Sequence, residues 1–174
     1  MPNVPKKLIV HHDGASRSGE SFDIINAHHK GLGYHASRLG FHVGYHYLIE
    51  RTGKLRQARE HDEIGAHTIG QNDKSLGICL AGNFDTELPT PSQVATLGAL
   101  LGSLTSLHKI PATEIYPHRA FGQKSCYGKR LHDLWAREVL ADYRGGNSVA
   151  LTESPRSIVQ SAIKQLQDVL PRLT

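Results

Sequence analysis

The stretch "KKLIVHHD", residues 6–13, decides the fold. Leu8, Ile9 and Val10 form a short apolar run, bounded by lysines before it and by two histidines and an aspartate after it. A run of this length and β-branched content reads as a buried strand. Side chains alternate along a strand, so His11 and His12 point to opposite faces and only one of them can serve a common site.

Working outward, "ASRSGESFDIINAHHKGLG" offers Ser21 as a helix cap, Phe22, Ile25 and His29 about one turn apart, and Gly31 as a stop. "FHVGYHYLIE" is β-rich; the turn "RTGK" (51–54) and the alternating "LRQARE" after it predict a hairpin. "SLGICLAGNF" (75–84) reads as another buried strand. "TPSQVATLGALLGSLTSLHK" (90–109) is the clearest helix: Thr90 caps it, Pro91 suits its first position, and Val94, Leu97, Leu101 and Leu104 form a stripe before Pro111 ends it. "TEIYPH" is a short strand, and "LHDLWAREVLADYR" (131–144) a second amphipathic helix. Strands interleaved with helices imply a single α/β domain with a central mixed β-sheet flanked by helices.

Composition changes at "RGGNS" (144–148), which reads as a linker. The chain therefore divides into a main domain, residues 1–144, and an appendage, residues 145–174. In the appendage, Ile158, Ala162, Ile163, Leu166, Val169 and Leu170 predict an amphipathic C-terminal helix that docks on the main domain or joins two subunits into an oligomer. Arg156, Lys164 and Arg172 against Glu153 and Asp168 leave that segment close to neutral, which favours packing over membrane disruption.

The chain has 174 residues, 39% apolar and 21% charged, as in ordinary soluble domains. Neither a secretory signal nor a transmembrane run is visible, so the expectation is synthesis in the cytoplasm. The net charge of +4 favours anionic partners. With no run of five like charges and few aromatic residues, a nucleic-acid partner is not expected.

Two cysteines cannot make a disulfide framework. Cys79 lies in an apolar run and reads as a small buried side chain. Cys126 lies in the polar stretch "HRAFGQKSC" (118–126), eight residues after His118. A catalytic zinc site takes three nitrogen or sulfur ligands and leaves one position open. His118 and Cys126 can supply two, and "IVHHD" can supply the third from His11 or His12.

"LIVHHD", "VGYHYLIERTGKL", "IGAHTIGQNDKSLGICLAGNF" and "PHRAFGQKSCYGKRL" occur in this order. Together they resemble the zinc-dependent N-acetylmuramoyl-L-alanine amidases, the family of short phage amidase-type lysozymes and animal peptidoglycan recognition proteins. The resemblance spans roughly residues 6–143, and it makes residues 1–144 an amidase catalytic domain of the peptidoglycan-recognition-protein type. It implies one Zn2+ per chain on His11, His118 and Cys126, with Tyr45 and Lys124 as catalytic residues and His67 and Asn72 as substrate-binding residues. The implied reaction cuts the amide between N-acetylmuramic acid and L-alanine in bacterial peptidoglycan. An endolysin role follows, in which the protein reaches the wall once the membrane is breached.

The family usually has proline after the ligand cysteine; here Tyr127-Gly128 stands instead, and the expectation is altered loop rigidity rather than lost zinc. His46, beside Tyr45 on a strand, is expected to be structural. The rival readings are a cysteine peptidase with Cys126 as nucleophile and a muropeptide-binding or regulatory module. Retention of Cys126 speaks against the binding module.

Overall fold

Five short strands form one mixed sheet in the order β3-β2-β4-β1-β5: β1 is Lys7–His12, β2 Tyr47–Ile49, β3 Leu55–Gln57, β4 Ser75–Leu80 and β5 Ile115–Pro117. The computed structural model describes residues 2–15, 22–122 and 125–146. Strand β1 runs parallel to both β4 and β5, β2 runs parallel to β4, and β3 closes the far edge antiparallel to β2. Parallel strands are covered on both faces, which explains why "KLIVHH" and "SLGICL" carry apolar residues at successive positions.

The two faces bury different partners. Leu8, Val10, Leu76, Ile78 and Leu80 pack with Leu97, Leu100, Leu101 and Leu104 of helix α2 (Pro91–His108) and with Val139 and Leu140 of helix α3 (Trp135–Arg144). On the opposite face, Leu48 and Cys79 pack with Phe22 and Ile25 of helix α1 (Phe22–Gly31). Cys79 is buried, as its apolar context predicts.

Helix α2 begins as its sequence demands. The Thr90 hydroxyl accepts the Gln93 N–H, and the Gln93 side chain accepts the Thr90 N–H, a reciprocal capping box with Pro91 at the first turn. The Gln93 amide also donates to the Ala81 and Ile49 carbonyls, fixing the helix to the ends of β4 and β2.

Helix α3 begins at Trp135, four residues after the start its amphipathic pattern suggests. The His132 and Asp133 carbonyls instead receive the Tyr127 hydroxyl, at 3.1 and 2.9 Å, and Leu134 has no side-chain cap. The predicted linker beyond Gly146, the C-terminal helix and the Ser21 cap lie outside the described residues. Among the described residues, no helix is long and apolar enough to cross a membrane.

Two buried histidines make the fold acid-sensitive. His46 is fully buried; it donates from Nε2 to the Glu63 carbonyl and accepts the Gly77 N–H at Nδ1, the structural role expected for it. Burial lowers its pKa to about 4. His61 bridges the Tyr47 hydroxyl, 2.6 Å away, and His108, 2.8 Å away; burial, with the neighbouring histidines, lowers its pKa to about 3.

Unfolded, both titrate near 6.5, so between that pH and about 4 the unfolded chain binds protons that the folded chain refuses. Stability is therefore full above pH 6.5 and falls as the pH drops, by up to about 1.4 kcal/mol per pH unit for each group. Urea midpoints are expected to fall steadily from pH 7 to pH 4.5, with a shallower slope in His61→Asn.

Candidate metal centre

The parallel pairing of β1 with β5 brings the first two site residues together. Val10 lies opposite Pro117, so His11 and His118 come level where both strands end. Ligand sites of open α/β sheets form outside these carboxyl ends. His11 is buried on the α1 face of the sheet, and His118 opens a short 3-10 turn, His118–Phe121. Their rings lie 4.4 Å apart.

The chain then loops back to Cys126, whose carbonyl accepts the Arg119 N–H at 2.6 Å. Arg119 also donates from its guanidinium to the Gly128 and Leu131 carbonyls and to Asp133. The residue next to His118 thus ties the Cys126 loop in place.

One ligand atom from each of His11, His118 and Cys126 lies within 4.8 Å of the other two. The Cys126 sulfur stands 3.8 Å from His11 Nδ1. Two ligands of a tetrahedral zinc, at metal distances of about 2.1 and 2.3 Å, are separated by roughly 3.6 Å, so this pair needs little movement to share an ion. The His12 backbone N–H points at the Cys126 sulfur at 3.4 Å, and the His12 carbonyl lies 3.6 Å from the same sulfur, so β1 holds the cysteine by its backbone. Two imidazoles and one thiolate therefore fit a zinc-type centre with an open fourth position.

His12 faces the other way. Its Nδ1 accepts the Phe84 N–H at 2.9 Å and its ring packs on Phe84, so of the two histidines of β1 it is His11 that sits with His118 and Cys126. Tyr45 lies beside the ligand cluster, its ring 5.1 Å from that of His11. Burial, with the Cys79 and Cys126 sulfurs nearby, pushes its hydroxyl pKa well above the usual value, so it stays a proton-bearing donor at working pH. Lys124 lies outside the described residues.

His67 meets the cluster from the loop before β4. Its Nδ1 is 3.1 Å from His11 Nε2, and burial drives its pKa well below 6.5, so it is neutral. Asn72 is occupied locally: its side-chain oxygen accepts the backbone N–H groups of His67 and Thr68.

Three supporting groups escape a reading of the sequence. Asp85 accepts hydrogen bonds from the Ser125 hydroxyl and the Lys129 N–H, holding the Cys126 loop from the other side. His29 accepts the Gly44 N–H, stacks on Tyr34 at 4.7 Å and lies 5.8 Å from the Tyr45 ring. Arg119 is the third, and adjacency to His118 is the only signal that marks it.

Tyr127, at the usual proline position, is wholly buried. Its ring meets Trp135 edge-on at 5.5 Å and lies under the Arg119 guanidinium at 5.3 Å. The loop is therefore held by a buried side chain instead of by a proline ring.

The family model described as N-acetylmuramoyl-L-alanine amidase matches residues 1–129. The endolysin of Enterobacteria phage T3 is 28% identical over 152 residues, covering 83% of this chain and 95% of that protein. Peptidoglycan-recognition protein SC2 of Drosophila melanogaster is 30% identical over 133 residues, covering 75% of this chain and 72% of the relative. Among solved structures, the endolysin N-acetylmuramoyl-L-alanine amidase LysCS from Clostridium intestinale superposes with a TM-score of 0.69 at 27% identity, covering 82% of this chain and 85% of that one. With a mixed α/β sheet, a matching family model and relatives of both phage and animal kinds, the chain belongs to the N-acetylmuramoyl-L-alanine amidase family.

Proposed function

We propose that the chain is a zinc-dependent amidase that cuts the bond between N-acetylmuramic acid and L-alanine in bacterial peptidoglycan. The observation that carries this reading is the convergence of His11, His118 and Cys126 at the carboxyl ends of β1 and β5. His11, His118 and Cys126 would hold the zinc, which when bound would supply Lewis-acid chemistry for the scissile carbonyl and acidify a water toward a pKa of about 7.

The protein's own groups do the rest. Tyr45, uncharged and beside His11, can hold the attacking water or the oxygen of the tetrahedral intermediate by donating its hydroxyl proton. Lys124, two residues before the ligand cysteine, is the cation that stabilises the developing oxyanion. By the family resemblance, the 65–72 segment that carries His67 and Asn72 is the one that meets substrate.

The similarity to a phage T3 endolysin over 95% of that protein's length supports an endolysin role, with the cell wall as the place of action. Positive net charge favours adsorption to anionic wall polymers, an attraction that salt weakens.

The reading is tested by metal analysis alongside digestion of purified cell walls. The expected result is about one zinc per chain, with activity lost in chelator and restored by zinc. Activity that survives complete removal of metal would point to a cysteine peptidase and end the zinc reading. Tyr45→Phe is expected to keep its zinc and lower kcat by about 10²-fold or more. Loss of zinc in that variant would show that Tyr45 acts structurally.

A further inference from the structure

We propose that His67 is a positioning residue that selects Nδ1 of His11 as the metal-binding nitrogen. The inference rests on the zinc-amidase reading above and gives His67 a task distinct from substrate contact.

The two ring nitrogens of His11 face different neighbours. Nδ1 looks toward the Cys126 sulfur at 3.8 Å, and Nε2 lies 3.1 Å from Nδ1 of His67. A neutral imidazole binds a metal through one nitrogen and keeps its proton on the other, and the acceptor beside that proton decides which nitrogen is which. With Nδ1 turned to the metal, Nε2–H of His11 donates to His67 Nδ1. The Thr68 hydroxyl oxygen, 3.4 Å from the same His11 nitrogen, is a weaker second acceptor.

His67 accepts at Nδ1 only if its own proton sits on Nε2. That atom is enclosed and meets no hydrogen-bond partner among the described residues. A ring devoted to binding sugar or peptide would aim a polar atom at solvent, whereas this one turns Nδ1 to His11 and to the Thr68 hydroxyl, 3.0 Å away, and shuts Nε2 inside.

The surroundings hold the ring in that orientation. It fits a slot made by two glycines: a Cβ on Gly77 would lie 2.5 Å from His67 Cγ and Cδ2, and one on Gly65 would lie 2.5 Å from Cδ2. Both approaches are far inside ordinary contact, so any larger residue there must push the ring away. Asn72 meanwhile fixes the His67 and Thr68 backbone, at 2.9 and 2.8 Å. His67 and Asn72 therefore both contribute to the geometry of a single ligand.

The test is the zinc dissociation constant of the full chain, measured by competition with a chromogenic chelator, in four proteins. Relative to the native chain, His67→Ala is expected to bind zinc about 10- to 100-fold more weakly. His67→Asn places an acceptor oxygen near the position of Nδ1 and is expected to recover most of the loss. Gly77→Ala removes no polar group but displaces the ring, and is expected to weaken zinc as His67→Ala does.

Native zinc affinity in His67→Ala, with a raised KM, would overturn the proposal in favour of substrate contact. Equal weakening in His67→Asn and His67→Ala would reduce His67 to packing and also overturn it. If His67→Ala fails to fold, the other two variants decide: zinc must hold in His67→Asn and weaken in Gly77→Ala. A native chain that takes up no zinc would overturn the functional reading, and this inference with it.

Discussion

Replacing Cys126 by alanine is expected to abolish metal binding and amide hydrolysis together while leaving the sheet intact. Cys126 is the one thiol of the proposed ligand set, and its sulfur is already turned toward His11 Nδ1 and toward the His12 N–H. Two neutral imidazoles remaining at the ends of β1 and β5 make a poor zinc site, because a catalytic centre needs three protein ligands to hold the ion and leave one position open. The substitution removes a single sulfur from a side chain near the surface of the α2/α3 core, so the metal-stripped variant should unfold close to the metal-stripped native chain. Zinc content and wall digestion, measured on the same preparation, check both halves. Full activity in a metal-free Cys126→Ala protein would end the account.

Tyr127→Ala is expected to be the most destabilising substitution in the Cys126 loop. The ring is wholly buried against Trp135 and under Arg119, and its hydroxyl binds the His132 and Asp133 carbonyls. Truncating a buried aromatic side chain costs about 3–5 kcal/mol, which in a domain of this size lowers the melting temperature by about 10 °C. Zinc affinity should fall as well, because the ring anchors the peptide that carries Cys126. Tyr127→Phe keeps the ring and loses only the hydroxyl, at about 1 kcal/mol. Urea unfolding of the metal-stripped proteins measures both; a Tyr127→Ala chain as stable as the native one would show that the loop is held by Arg119 and Asp85 alone.

Much of the fold can be read from local chemistry. Helix α2 carries its own start signal in Thr90, Pro91 and Gln93, and the β2–β3 hairpin is marked by "RTGK" between β-rich runs. The two parallel strands announce themselves as short apolar runs because both of their faces are covered. The start of α3 is not legible, since it depends on a tyrosine hydroxyl arriving from another loop and not on any local cap.

The site divides in the same way. His11 and His12 differ only in which face they occupy, a choice that strand alternation poses but cannot settle without the packing of α1, α2 and α3. His118 and Cys126 stand out through their spacing in a polar stretch. The contact of His67 with His11 spans 56 positions and comes from a loop folding over β4. Arg119 and Asp85 show the same limit: each is an ordinary charged residue in a turn until the Cys126 loop closes onto it.

End-group analysis of digested peptidoglycan reads directly which bond the protein cuts. Purified peptidoglycan incubated with the protein is predicted to gain new alanine amino termini without new reducing sugars, and to gain neither when chelator is present. New reducing sugars, or alanine ends that appear equally in chelator, would contradict the account.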